Sequence, residues 1–313
     1  MRFFVAVNLW LNLILLVFSG CATSPVSNAK PIDQEIVFIH GDGRVGTYVS
    51  QPWGFRTSSY WIEGRDGLIL IDTQFMPSAT EEMIQWVEKF TGKKIVLAVV
   101  LHPNPDKFNG TAVLQKHGVR VITSEQVLKL IPEVHQDRLA SFYERYKPDY
   151  PLETPKPESF GDSTREISAG GTTIKLHVLG EGASGAHVVA EYDGHLFVGD
   201  LVANDSHSWL ELGKTDEWLK RIDEMRALHP RFVHPGRGSS GGPELLDREE
   251  AYLKTVIRLV AAEHPRALPE EQMDAAIARI KEKLMRLYPG YFYSVFLNIG
   301  LPAEWERQVR VKS

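Results

Sequence analysis

Leu101-His102-Pro103-Asn104-Pro105-Asp106-Lys107 is the stretch that decides the fold. It follows Ile95-Val96-Leu97-Ala98-Val99-Val100, an apolar run that reads as a buried strand. It precedes Phe108-Asn109-Gly110 and a helix-like segment to His117. Side chains at alternate positions of an extended loop point the same way, so His102, Asn104 and Asp106 are expected to converge.

Upstream, Gly46-Thr47-Tyr48-Val49 and Ser58-Ser59-Tyr60-Trp61-Ile62-Glu63 are strand-like, with Trp53-Gly54-Phe55 between them. Gly64-Arg65-Asp66-Gly67 is a turn cluster, and Leu68-Ile69-Leu70-Ile71 is a buried strand ending in Asp72. Residues 79–90 place Met83, Trp86, Val87 and Phe90 on one helical face, and Gly92 ends that helix. Downstream, Val119 to Ile122 reads as a strand, and Ser124 caps a helix that continues patchily to Tyr146, interrupted at Pro132. Ile167 to Val178 reads as a hairpin around Gly170-Gly171. His187 to Tyr192 and Leu196 to Asp200 form a second hairpin, joined by Asp193-Gly194. Thr215 caps a helix to Leu228, and Phe232-Val233 leads into His234-Pro235-Gly236-Arg237-Gly238. Hairpins, then αβ alternation, then hairpins and a late helix fit two packed sheets with helices outside.

From the opening hairpin and the Asp72 strand through the Asp106 loop to Leu196-Phe197-Val198-Gly199-Asp200, the chain resembles the metallo-β-lactamase superfamily. The likeness covers roughly residues 35 to 245, with the motifs in the family's order. It implies an α/β (α+β) fold: a four-layer αββα sandwich, here with a C-terminal helical extension. In that family a strand ends in His-x-His-x-Asp-His, and these residues help to hold one or two zinc ions.

Of seven ligand positions that the resemblance implies, His102, Asp106 and Asp200 keep a ligand type. Asn104 and Lys107 stand where His is usual, Ala183 follows Gly180-Glu181-Gly182 in place of His, and Arg237 replaces the His of Pro-Gly-His-Gly. Two added cations repel a zinc ion, while two carboxylates left without metal need cations. An ion-pair cluster of Asp106, Asp200, Lys107 and Arg237 is therefore expected, with Arg237 bonding one or both acids and Lys107 at the edge of the cluster or emerging from it. No cofactor is expected on this reading. The function expected is a non-catalytic binding or scaffold role on a degenerate zinc site. The alternative is a zinc-dependent hydrolase of an ester, thioester or amide. It would use a reduced set of His102, Asp106 and Asp200, with or without His187, and Asp106 would be catalytic. A metal-free enzyme using Lys107 as base or nucleophile is a third reading, opposed by the adjacent carboxylates. No Gly-x-Ser-x-Gly elbow is present, and Ser239-Ser240 has no placed base.

Around the site, Trp53 and Phe55 occupy the place of the family's mobile flap, or else cover the sheet core. His207 and Trp209, in the loop after Asp200, are expected at the pocket rim or in packing. His187 reads as a packed, hydrogen-bonded histidine, His234 as a residue away from the ligand, and Asp72 as a structural acid that holds loops.

The chain has 313 residues, 43% of them hydrophobic and 24% charged, with a formal net charge of −5. That balance is ordinary for a globular protein and gives no reason to expect nucleic acid as a partner. Residues 1–20 read as a lipoprotein signal peptide: Arg2, an apolar run from Val5, then Phe18-Ser19-Gly20 before Cys21. Cys21 is the sole cysteine, so an intrachain disulfide is excluded and lipid attachment is the simplest use for it. Residues 21–33 read as a tether, 34–247 as the sandwich, and 248–313 as a helical extension packed on the same domain. The expected address is the bacterial cell envelope. The protein would be anchored to the membrane through its N-terminal lipid, at the outer membrane facing the periplasm. The further partner, a small molecule or a protein, is not specified.

Overall fold

The computed structural model describes residues 37–38 and 43–312. Cys21 and the tether lie outside the described residues. Seven strands form the first sheet in chain order: β1 (Val37–Phe38), β2 (Val45–Val49), β3 (Ser58–Glu63), β4 (Leu68–Ile71), β5 (Ile95–Val99), β6 (Arg120–Thr123) and β7 (Glu158–Ser159). Pairing is antiparallel from β1 to β4 and parallel from β4 to β7. The switch follows from the connections. A four-residue turn, Gly64–Gly67, joins β3 to β4, whereas α1 (Pro77–Thr91) crosses over from β4 to β5. Further along, α2 (Pro105–Phe108) and α3 (Thr111–Lys116) join β5 to β6, and α4 (Glu125–Tyr146) leads to β7.

The second sheet has the order β12-β11-β10-β9-β8, from β8 (Arg165–Ala169), β9 (Thr172–Leu179), β10 (His187–Tyr192), β11 (His195–Ala203) and β12 (Phe232–Arg237). Only β11 and β12 pair in parallel, because α5 (Thr215–Arg226) lies between them. Trp61, Leu70, Val99, Val188 and Phe197 share one buried core drawn from both sheets, and Met83, Val87, Leu114 and Ile131 join it from the helices of the first. A second core lies on the other side of the second sheet. There Val198 and Val233 meet Trp218 of α5.

The extension completes that second core. Helices α6 (Glu244–Ala261), α7 (Glu270–Leu287) and α8 (Leu297–Lys312) contribute Tyr252, Val256, Ile280, Leu284, Leu301 and Trp305. Gln34–Ser313 form one compact unit. The expected boundary at 247/248 falls inside α6, whose first turn already carries Glu244 and Asp247. In the aromatic stretch 291–297, Phe296 and Leu297 are buried, but Phe292 and Val295 stay exposed.

Two local expectations need correction. Helix α4 runs unbroken through Pro132. A proline inside a helix costs about 3 kcal/mol, and burial of Val127 and Ile131 on the same helix opposes that loss. Thr215 is the first residue inside α5 and not its cap, and its hydroxyl donates to Glu304 Oε2 at 2.8 Å.

Candidate functional site

The site forms where the central strands of both sheets end. Pro105 at the first helical position starts α2 immediately after Asn104, so the chain is extended only as far as Asn104. The alternation rule therefore stops there. One helical turn rotates successive side chains by about 100°, and both Asp106 and Lys107 are turned inward. This corrects the expectation that Lys107 lies at the edge: its side chain is wholly buried.

Lys107 Nζ lies 3.1 Å from Asp106 Oδ2, 3.1 Å from Asp200 Oδ1 and 3.8 Å from Asp72 Oδ2. None of these contacts has the direction of a good hydrogen bond, so charge is what holds the ammonium. Burial pushes the Lys107 ammonium down, but Asp106, Asp200 and Asp72 outweigh it and hold the group above its ordinary value. Asp72 is therefore a third carboxylate in the cluster, and it also accepts the Leu101 N–H at 2.9 Å. Burial pushes it up to about 6, against the pull of Lys107. Its own backbone takes a left-handed conformation, φ 63°, at the end of β4.

Arg237 spans the other two acids. Its Nη1 donates to Asp200 Oδ2 at 2.6 Å, and its Nη2 donates to Asp106 Oδ2 at 2.8 Å. Its Nε donates to the Phe55 carbonyl at 3.2 Å. Burial opposes ionisation of Asp106 and Asp200, yet the two cations hold both below the usual carboxylate range, Asp200 furthest. Thr57 Oγ1 donates to Asp106 Oδ2 at 3.2 Å, and Tyr60 Oη donates to the Pro235 carbonyl at 2.7 Å, which ties β3 to the Arg237 strand. Gly236 makes room for the pair, since a Cβ there would stand 2.1 Å from Asp200 Oδ1.

His102 is buried, with both ring nitrogens in use. Nδ1 pairs with Ser184 Oγ at 3.1 Å, and Nε2 accepts the Asp200 N–H at 3.4 Å, with Asp200 Oδ2 at 3.8 Å. Its ring also packs under Gly199, whose φ is +54°. His187 is buried as a neutral acceptor: its Nε2 receives the Ser184 N–H at 2.9 Å, and burial together with His102 keeps it well below the ordinary imidazole value. Ala183 is buried in the second core. His234 pairs with His195 at 2.9 Å and Ser240 at 2.9 Å, and its ring centre lies 5.1 Å from that of Tyr60. Among the described residues, no three His, Cys, Asp or Glu side chains are grouped so that they could hold a metal ion.

A cavity of about 210 Å³ opens above Asp106, Asp200 and Arg237. Phe55, Phe75, Phe142, Trp209, Val295, Phe296 and Ile299 supply its apolar wall, and Asn104, Arg138 and Arg145 its polar part. Phe55 and Trp209 thus sit where the sequence expected a rim. Trp53 stands 43% exposed and outside the lining. His207 does not reach the rim. It is buried against the extension, with Nδ1 2.9 Å from Tyr252 Oη and its ring edge-on to Tyr291, and burial pushes it down to about 4. Sequence reasoning missed Thr57, Ser184, Phe75 and the α4 residues Arg138, Phe142 and Arg145. The last three recur at helical spacing, the one signal that pointed to a shared face.

The class is thus a four-layer two-sheet sandwich with its polar site at the strand ends. The sequence pattern of the metallo-beta-lactamase superfamily matches residues 52–237, and the chain belongs to that superfamily. It is similar to a metallo-beta-lactamase type 2 of Bacteroides fragilis, 24% identical over 238 residues, covering 72% of this chain and 88% of that one. A solved metallo-beta-lactamase from Pontibacter korlensis superposes with a TM-score of 0.55 at 22% identity, covering 71% of this chain and 99% of that one. The solved structure of TMB-1 superposes with a TM-score of 0.56 at 17% identity, covering 72% and 98%.

Proposed function

We propose that this protein is a lipid-anchored member of the superfamily whose zinc site is degenerate, and that it binds a ligand or partner instead of hydrolysing one. The observation that carries the reading is Arg237 bonded to both Asp106 and Asp200. A zinc ion at those carboxylates would sit beside a buried guanidinium and a buried ammonium, and would have to displace both. His102, the remaining ligand type, already spends its nitrogens on Ser184 and Asp200. The residues present do not fit the metal.

Charge supports the same reading. Lys107 and Arg237 balance Asp106 and Asp200, and Asp72 adds one negative charge above about pH 6. The acids therefore have their cations within the fold. A superfamily hydrolase draws its hydroxide and its carbonyl polarisation from metal. The cavity above the cluster remains available for binding. Cys21 would hold the protein to the cell envelope.

Elemental analysis of protein purified without chelator tests the proposal. The expected result is substoichiometric zinc. The companion variant Asn104→His/Lys107→His/Ala183→His/Arg237→His is expected to recover zinc, as it replaces the blocking cations with ligands. Stoichiometric zinc in the unmodified protein, with a hydrolytic activity lost on Asp106→Ala, would overturn it in favour of the His102, Asp106 and Asp200 hydrolase.

A further inference from the structure

Three arginines line the 210 Å³ cavity, and they differ in what already holds them. Arg237 is bound by Asp106 and Asp200. Arg138 is bound by Glu211 and lies over the Trp209 ring. Arg145, on the same helix, is exposed and has no carboxylate partner among the described residues; its guanidinium lies 5.4 Å from the Tyr146 ring centre. The cavity thus has a floor of neutralised charge, an apolar wall and one uncommitted cation.

We propose that the cavity binds an amphipathic carboxylate, with its alkyl or aryl body among Phe55, Phe75, Phe142 and Phe296 and its carboxylate on Arg145. This assignment rests on the binding reading of the site. Each part of the ligand answers a feature of the protein. A guanidinium without an acid offers two parallel N–H donors that match a carboxylate. Asp106 and Asp200 do not repel a second anion, because their charge is already met by Arg237 and Lys107. Aromatic rings present large apolar faces to the body. Val295 and Ile299 line the cavity yet remain 53% and 41% exposed, so the apolar lining runs out to the opening. The volume lies below the roughly 300–1,000 Å³ of drug-sized pockets, which points to one ring or a medium chain.

An organic cation is the contrasting occupant.

Calorimetric titration of the intact protein with octanoate, octan-1-ol and octylammonium separates the possibilities. Octanoate is expected to bind about tenfold more tightly than octylammonium, with octanol between them. Arg145→Ala is expected to remove that preference while leaving octanol affinity and the melting temperature unchanged, because Arg145 is exposed. Arg145→Lys should keep part of it. Phe142→Ala should weaken all three ligands alike. Octylammonium binding as tightly as octanoate, no octanoate binding, or octanoate affinity indifferent to Arg145→Ala would overturn the assignment. Zinc content measured on the same samples tests the metal-free reading separately. Absent zinc with no octanoate binding sinks only the ligand assignment, whereas stoichiometric zinc sinks the reading beneath it.

Discussion

Arg237 Nη1 donates to Asp200 Oδ2 at 2.6 Å, joining the end of β12 to the middle of β11 across 37 positions of sequence. Both side chains are nearly excluded from solvent. Attraction between them is screened little there, and loss of either leaves the other without its partner.

Arg237→Ala should therefore destabilise the fold by about 3–5 kcal/mol, the usual result of breaking a buried pair. Asp106 and Asp200 would be left to share Lys107 alone. Urea denaturation at pH 7 measures the change. A shift under about 1 kcal/mol, typical of a surface pair, would show that solvent reaches the cluster.

Glu249 makes stability depend on pH. It is buried, accepts the Ala203 N–H at 3.0 Å and the Ser208 hydroxyl at 2.7 Å, and is pushed up to about 7 by burial. A carboxyl whose folded value is raised adds stability below its unfolded value of 4.5, and that stability is lost as pH rises through about 7. Asp72, pushed up to about 6, acts in the same direction. The loss for Glu249 is about 3 kcal/mol between pH 4.5 and 8. Glu249→Gln, with its carbonyl toward Ala203 and its amide toward Ser208, should flatten that slope. Denaturation midpoints at pH 5 and pH 8 that fall equally in both proteins would refute the assignment.

Removal of residues 244–313 should give an insoluble protein or one with a much lower melting temperature. The cut uncovers Trp218, Ile222 and Val233, which share a core with Tyr252, Leu284 and Trp305. Each large side chain so exposed costs about 1.5–3 kcal/mol. A soluble truncate that melts with the full chain would show that the sandwich holds its second face without the extension.

Cys21→Ser should move the protein from the membrane fraction to the soluble one, and acyl mass should vanish from the mature N-terminus. Phe18-Ser19-Gly20 before the sole cysteine motivates the expectation. Unchanged fractionation of the variant would count against a lipid anchor.

Most of the strands were legible because apolar runs such as Ile95 to Val100 and Leu68 to Ile71 are bounded by turn residues, and both are local signals. Pro132 misled because its penalty is local, whereas the burial of Val127 and Ile131 that opposes it is tertiary. His207 was open between rim and packing for the same reason: only the fold of the extension supplied Tyr252 and Tyr291 to cover it.

By itself the sequence determined the superfamily's order of motifs and the charge balance that called for Arg237 beside Asp106 and Asp200. Those are properties of residue type and spacing. Only the tertiary structure decided that Lys107 lies at the centre of three carboxylates. The helical turn begun by Pro105 rotates it inward, and Asp72 reaches it from a strand that local pattern cannot place beside it. The tertiary structure alone also separated Arg145 from the other two arginines of the cavity. Which cation is already paired depends on what distant segments of the chain bring to it.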